Sequence, residues 1–404
     1  MNTQPIVIVG GGHAGAQLCA ALVEAGQGLR VHLVCEEPQL PYQRPPLSKS
    51  FLKSSAEIVQ QHRADHWYAD AGITLHRADP AIAVDRVRRR VQLKSGTELS
   101  YGQLVLATGT RARRLPTLPE DLHNVVVLRN ATEAQILRER LATTKKLTIL
   151  GGGFIGLEIA ATARLLGLEV EILESAPRLL ARSVSPEVAD YVKGSHQAAG
   201  VSLRLGVRVG EFEIKESKLV ALQVDHVRQP VELLVLGIGA VAETTLAHDA
   251  GLAIDNGIVV DGCMRTSDPA ILAIGDCTNF PEVGSGRRLR LESVQNANDQ
   301  ARTAAATLRG FEQHYKAVPW FWSEQGSLRL QMVGLMPTDG VRHRRPGLNT
   351  SSFSMLHYQG DQLVCVESIN ASVDHMVARK LIEAGKSPAP ENLCDATQPM
   401  KSFL

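Results

Sequence analysis

The chain's first apolar run, Ile6-Val-Ile-Val9, breaks into Gly10-Gly-Gly12-His13-Ala14-Gly15 and then into Ala16–Ala25. A short β-branched run closed by glycine predicts a buried parallel strand, and the stretch after it reads as a helix. A second strand is predicted over Arg30–Cys35, ending at Glu36. The whole order recurs once: Leu147–Leu150 enters Gly151-Gly-Gly153-Phe154-Ile155-Gly156, a helical stretch runs to Leu166, and Glu169–Leu173 ends at Glu174. Further strands are predicted at Gln103–Ala107, entering Thr108-Gly109, and at Leu234–Leu236, entering Gly237-Ile238-Gly239. Another ends in Ala273-Ile-Gly275-Asp276. Val294–Leu308 reads as a helix. Near the end, strands are expected at Arg329–Gly334, Ser352–His357 and Gln362–Ile369, then a helix over Val373–Ala384. The basic stretch Arg86–Arg90 followed by Lys94-Ser-Gly96 reads as a solvent-facing hairpin.

Each glycine cluster has a chemical reading. Gly10 permits the tight turn, Gly12 lets the backbone approach a pyrophosphate, and Gly15 lets helix and strand pack closely. The helix N-terminus then offers unpaired amides and partial positive charge to phosphates. Glu36 falls 21 residues after Gly15, and Glu174 falls 18 after Gly156, where a carboxylate accepts hydrogen bonds from ribose hydroxyls. One such fingerprint is weak; two with strand, glycines, helix, strand and acid in order point to two bound dinucleotides. A donor and a relay follow naturally, a diffusible nicotinamide and a resident flavin. Thr108-Gly109 is a crossing point between nucleotide domains, Gly237–Gly239 lets the backbone approach the nicotinamide, and Asp276 can accept from a ribityl hydroxyl. Asp276 as a simple helix cap is the bland alternative.

Composition narrows the class. The 404 residues are 44% apolar and 21% charged, enough chain for roughly two or three domains. Lys and Arg total 43 against 42 acids, which speaks against wholesale nucleic-acid binding. The six cysteines include no Cys-x-x-Cys pair, so a disulfide framework, a structural zinc site and a redox pair are not expected, and no metal is required. No apolar run reaches the roughly 18 residues of a membrane span. The N-terminus reads as a strand, not a signal peptide, and the expected location is cytoplasmic.

With those residues in view, the chain resembles the two-dinucleotide flavoproteins, and among them the oxygenase-coupled ferredoxin reductases. The resemblance rests on Pro41-Tyr-Gln-Arg44-Pro-Pro-Leu-Ser-Lys49, Ala107-Thr-Gly109, Leu128-Arg129, Gly151-Gly-Gly-Phe-Ile-Gly-Leu-Glu158, Ala273–Asp276, Glu292-Ser-Val294 and Pro319-Trp-Phe-Trp-Ser-Glu-Gln325. It implies an α/β fold with two Rossmann-like domains of the glutathione-reductase type, binding FAD and NAD, plus a C-terminal α/β module. The implied layout is residues 1–110 (FAD, first part), 111–239 (NAD), 240–319 (FAD, second part) and 320–404 (C-terminal reductase domain).

Carried onto this sequence, the resemblance implies that non-covalent FAD is held by Gly10, Gly12, His13, Ala14, Gly15, Glu36, Arg44, Lys49, Ala81, Ala107, Thr108, Gly109, Arg129, Asp276, Val294 and Trp320. NAD is assigned to Gly151, Gly153, Phe154, Ile155, Gly156, Glu158, Glu174, Arg182, Gly237, Ile238 and Gly239. Lys49, paired with Glu158, is the expected catalytic group beside the flavin. NADH is the expected donor, because Glu174 disfavours a 2′-phosphate. The implied acceptor is a small acidic [2Fe-2S] ferredoxin feeding an oxygenase, docking on Arg287, Arg288, Arg290 and Arg302, with Arg342, His343, Arg344 and Arg345 as further candidates. A monomer or homodimer is expected. Two departures stand out: Gln43 replaces a frequent aspartate, and Ala240-Val-Ala-Glu243 replaces a frequent Pro-Asn pair.

Rival readings are few. A disulfide reductase needs a cysteine pair at the flavin, and Cys35 reads as core. A rubredoxin reductase-like enzyme shares these motifs, and a nicotinamide-binding scaffold similar to apoptosis-inducing factor shares the fold.

Overall fold

The computed structural model describes residues 4–26, 30–283 and 285–404. Contacts divide it into two compact units. The first holds the described residues up to Arg44, with Val59–Arg111 and Ala240–Ala317; the second holds Pro45–Ile58, Ala112–Gly239 and Val318–Leu404.

The first unit is built on a five-stranded parallel sheet in the order Ile271–Ala273, Gln103–Leu106, Ile6–Val9, Val31–Val34, Ile73–His76. All four residues of Ile6–Val9 are buried, which is why this strand reads as an unbroken apolar run and not an alternating one. The helices His13–Glu24 and Val294–Leu308 pack on each other through alanines such as Ala14, Ala297 and Ala301. The basic hairpin is part of a three-stranded meander, Ala81–Asp85, Arg90–Leu93 and Glu98–Ser100. One part of that expectation is corrected: Arg86 does not face solvent freely. Its guanidinium donates to Asp268 at 2.8 Å and to the carbonyls of Ala250 and Gly251.

The second unit repeats the parallel design with Val201–Leu205, Glu169–Glu174, Lys146–Leu150, Leu233–Leu236 and Val125–Val126. An antiparallel sheet follows, in the order Trp320–Gln325, Leu328–Gly334, Gln362–Ile369, Phe353–Gln359, Val341–Pro346. The helix Ser372–Glu383 covers it, burying Val377, Ala378 and Leu381 against Leu356 and Val366. The edge strand Val341–Pro346 corrects the reading of Arg345 as a docking charge. Arg345 is 5% exposed, and its guanidinium donates to the carbonyls of Leu393, Asp395 and Gln398.

Candidate functional site

The two glycine loops have the same internal logic. Gly10 sits at φ +119°, and a Cβ there would lie 2.2 Å from the Ala107 carbonyl oxygen. In the second loop, a Cβ on Gly151 would lie 2.4 Å from the Gly237 carbonyl oxygen. Gly15 and Gly156 are equally closed by the carbonyls of Gly10 and Gly151. Gly12 and Gly153 differ: their nearest neighbours to an added Cβ stand 3.9 and 3.8 Å away. The protein itself does not demand glycine there, so these two positions keep space for a ligand. Both are helix caps with no side chain to satisfy the first amides of His13–Glu24 and Phe154–Leu165. Two helix N-termini with open amides and clear space fit the pyrophosphates of two dinucleotides.

The remaining FAD candidates of the first unit fall around that loop or at neighbouring strand ends. Glu36 is exposed just beyond Val31–Val34, and Arg44 pairs with Glu37 at 2.8 Å. Ala81 opens its strand opposite Leu93. Ala107, Thr108 and Gly109 follow Gln103–Leu106, with the Thr108 hydroxyl donating to the Glu243 carbonyl. Gly275 is constrained from within the protein: its φ is +82°, and a Cβ would meet that of Ala14 at 3.0 Å. Asp276 follows it. Val294 begins its helix, which Ser293 caps by accepting from the Asn296 amide.

In the second unit, Glu174 turns its carboxylate onto its own loop, accepting from the amides of Gly152 and Ala176, each at 2.6 Å. A carboxylate has further lone pairs, so ribose hydroxyls can still be accepted. Arg182 is exposed, whereas Arg178 is bound to the carbonyls of Ala181 and Val184. Phe154 lies against Phe321, ring centroids 4.6 Å apart, and Ile155 is 42% exposed at the start of the nucleotide helix. Ile238 and Gly239 continue from Gly237, and the Gly239 carbonyl accepts from the Arg113 amide. Arg129 precedes the helix Ala131–Leu141, whose Glu133 closes a capping box with Asn130.

The same unit brings Lys49 and Glu158 together. Lys49 Nζ lies 2.6 Å from Glu158 Oε2, with the two side chains 18% and 8% exposed. Two short helical turns, Pro45–Ser48 and Ser50–Lys53, flank Lys49, and Arg138 holds this segment by donating to the carbonyls of Ser54 and Glu57 at 2.9 Å. Glu158 sits on the first turns of the nucleotide helix. The Ser48 hydroxyl also donates to Glu158 Oε2, and Ser323 donates to Oε1 at 2.8 Å. Ser48 and Ser323 are absent from the sequence-based assignment. For Ser323 a signal is present in Pro319–Gln325, because alternate strand residues share a face: Phe321, Ser323 and Gln325 meet the nucleotide-binding part. Trp320 and Trp322 stack on each other at 5.6 Å, and Trp320 also meets His375 and Arg379.

All six cysteines are free. Burial and the nearby Glu37 push the Cys35 thiol up to about 12, so it stays protonated at neutral pH and is no nucleophile. Cys263, Glu312 and His314 offer ligand atoms within 4.8 Å of one another, but the Arg265 guanidinium, 3.9 Å from Glu312, already supplies positive charge there. No helix among the described residues is long and apolar enough to cross a membrane.

Fold and site together define a flavoprotein with paired dinucleotide-binding folds. The pattern that describes the pyridine nucleotide-disulphide oxidoreductases matches residues 4–301, and that of the reductase C-terminal domain matches 320–404. The chain belongs to the pyridine nucleotide-disulphide oxidoreductase family, in the group that carries this C-terminal domain, and its cofactors are FAD and NAD(H). Rhodocoxin reductase of Rhodococcus erythropolis is 40% identical over 98% of this chain and 93% of its own length. The crystal structure of the ferredoxin reductase for the CYP199A2 system of Rhodopseudomonas palustris is 41% identical, covers 99% of both chains and superposes with a TM-score of 0.95. The covalent putidaredoxin reductase–putidaredoxin complex gives 37% identity and a TM-score of 0.94, over 99% of this chain and 98% of the other.

Proposed function

We propose that this chain is an NADH:ferredoxin oxidoreductase that takes hydride from NADH and delivers electrons to a small acidic [2Fe-2S] ferredoxin serving a monooxygenase or dioxygenase. The observation that carries the reading is the Lys49–Glu158 pair, whose buried Glu158 lies on the helix that opens at the second glycine loop. Names and structures of relatives at 37–41% identity over nearly the full chain support the acceptor class.

Bound FAD supplies the step from two-electron to one-electron chemistry. The chain's own residues do the rest. The amides after Gly12 and Gly153 hold pyrophosphates, Glu36 and Glu174 hold riboses, and Asp276 accepts from the ribityl chain. Lys49, oriented by Glu158, steadies the charge that moves during hydride transfer. In this reading residues 1–110 and 240–319 serve FAD, 111–239 serve NAD and 320–404 form the reductase domain. Arg287, Arg288, Arg290 and Arg302 receive the ferredoxin, Trp320 lies on the flavin side, and the protein works in the cytoplasm as a monomer or homodimer. Six free thiols suit that compartment.

Anaerobic titration of the purified protein with NADH, followed by mixing with candidate ferredoxins and a rubredoxin, tests the reading. Prompt bleaching of the yellow colour and fast electron transfer to a ferredoxin are expected. Slow reduction with a long-lived charge-transfer band and no turnover with any acceptor overturns it in favour of a scaffold.

A further inference from the structure

The carboxylate of Glu158 is the end of a longer line of buried polar groups. Its Oε1 accepts from Ser323 Oγ at 2.8 Å; Ser323 Oγ accepts from Gln325 Nε2 at 3.1 Å; Gln325 Oε1 lies 2.8 Å from His196 Nε2. Ser323 is 0% exposed, Gln325 4% and His196 3%. The line therefore runs from the helix Pro186–Ala198, through the first strand of the C-terminal sheet, to the pair Lys49–Glu158.

Its polarity follows from donor counting. A serine hydroxyl has one proton, and Ser323 already receives from the Gln325 amide, so its own proton goes to the carboxylate. The Gln325 amide has turned its nitrogen to Ser323, which leaves its oxygen for His196. Burial lowers the pKa of His196, so the ring is neutral at pH 7 and donates through Nε2–H. Every bond thus points the same way, towards Glu158. Hydrogen bonds to a charged acceptor are the stronger kind, and a chain of aligned donors polarises each member.

We propose that Ser323 and Gln325 are positioning residues of the hydride-transfer site. With His196 behind them, they fix the Glu158 carboxylate so that it holds the Lys49 ammonium in one place. The inference rests on the hydride-transfer reading above. It gives the C-terminal sheet a part in the first half-reaction, with NADH, besides any part in meeting the acceptor.

Stopped-flow reduction by NADH and 15N NMR of the Lys49 ammonium, its signal identified by loss in Lys49→Arg, test this on the flavin-loaded protein. Ser323→Ala is expected to slow flavin reduction at saturating NADH about ten-fold while the NADH Kd moves less than about two-fold, the loss of one charge-assisted bond. In the resting protein, Lys49 ammonium protons are expected to exchange with water about ten-fold faster. Gln325→Met, which keeps Ser323, should show both effects at about three-fold and carries the test if Ser323→Ala does not fold. A folded variant with wild-type reduction and wild-type exchange overturns the proposal, as does a weakened NADH Kd with an unchanged rate constant. If the unmodified protein is not bleached by NADH, the functional reading fails instead, while the ammonium exchange still decides whether the line positions Lys49.

Discussion

Lys49 shows how one side chain gathers its meaning from its neighbours. Alone it is a surface tether; beside Glu158, with Ser48 and Ser323 donating to the same carboxylate, it is a held charge. Lys49→Met is expected to slow hydride transfer about a hundred-fold, measured by stopped flow. Thermal denaturation should show a loss of about 3 kcal/mol, the low end for breaking a buried pair because two hydroxyls still serve the carboxylate. Glu174 carries the second prediction. A 2′-phosphate about 4 Å from a carboxylate costs about 4 kcal/mol per unit-charge pair at an effective dielectric of about 20, before screening. A kcat/KM favouring NADH over NADPH is therefore expected, and direct comparison of the two donors checks it.

Among the elements, the parallel strands and their helices were legible because burial on both faces leaves an unbroken apolar run. Val294–Leu308 has its expected bounds to the residue. Val341–Pro346 carries no such signal. Its sequence is mostly basic because it is an edge strand, where charge guards the unpaired side. The strand also hides Arg345, which binds three carbonyls of the last segment, with Asp374 at 3.4 Å. The pairing of Lys49 with Glu158 was legible only through resemblance, since 109 residues of chain separate them. Ser323 and Gln325 share one face of a legible strand, but their roles are not legible, because a polar residue in a strand carries no mark of its partner. Arg345→Lys should destabilise the protein by about 3 kcal/mol in urea, since an ammonium cannot reproduce the planar fork.

The helix Ser372–Glu383 supplies a pH test. Burial, then Arg379 and Arg329, lower the His375 pKa from 6.5 to about 4. The unfolded chain binds that proton first, so His375 supports folding above pH 6.5, and the support drains away as pH falls towards 4. The change is on the order of 3 kcal/mol. His375→Phe should flatten the acid limb of melting temperature against pH; an unchanged limb would remove His375 as its source.

For the whole molecule, a net charge of +1 gives little long-range pull, so any steering of an acidic partner is local. Three of the proposed docking arginines are paired with neighbouring carboxylates: Arg287 with Glu282, Arg290 with Glu292, Arg302 with Asp299. Arg288 instead donates to oxygens of Asn279 and Val260, at 2.9 and 2.8 Å, which are neutral and leave its charge in place. Ferredoxin turnover should fall as salt rises, and Arg288→Gln should raise the ferredoxin KM several-fold with a smaller change in kcat. Salt-independent turnover would count against charge as the docking force.

The buried carboxylate of Glu367 accepts from the Ser185 amide at 2.9 Å and pairs with His357 at 2.8 Å, both partners lying within the second unit. That bond ties the C-terminal sheet to the first turn of Pro186–Ala198, and it dictates where chimeras between relatives can be cut. A graft joined at residue 318 sets the acceptor against a host's backbone amide that has to fall in the same place, whereas one that carries residues 183–198 along with the tail moves an intact joint.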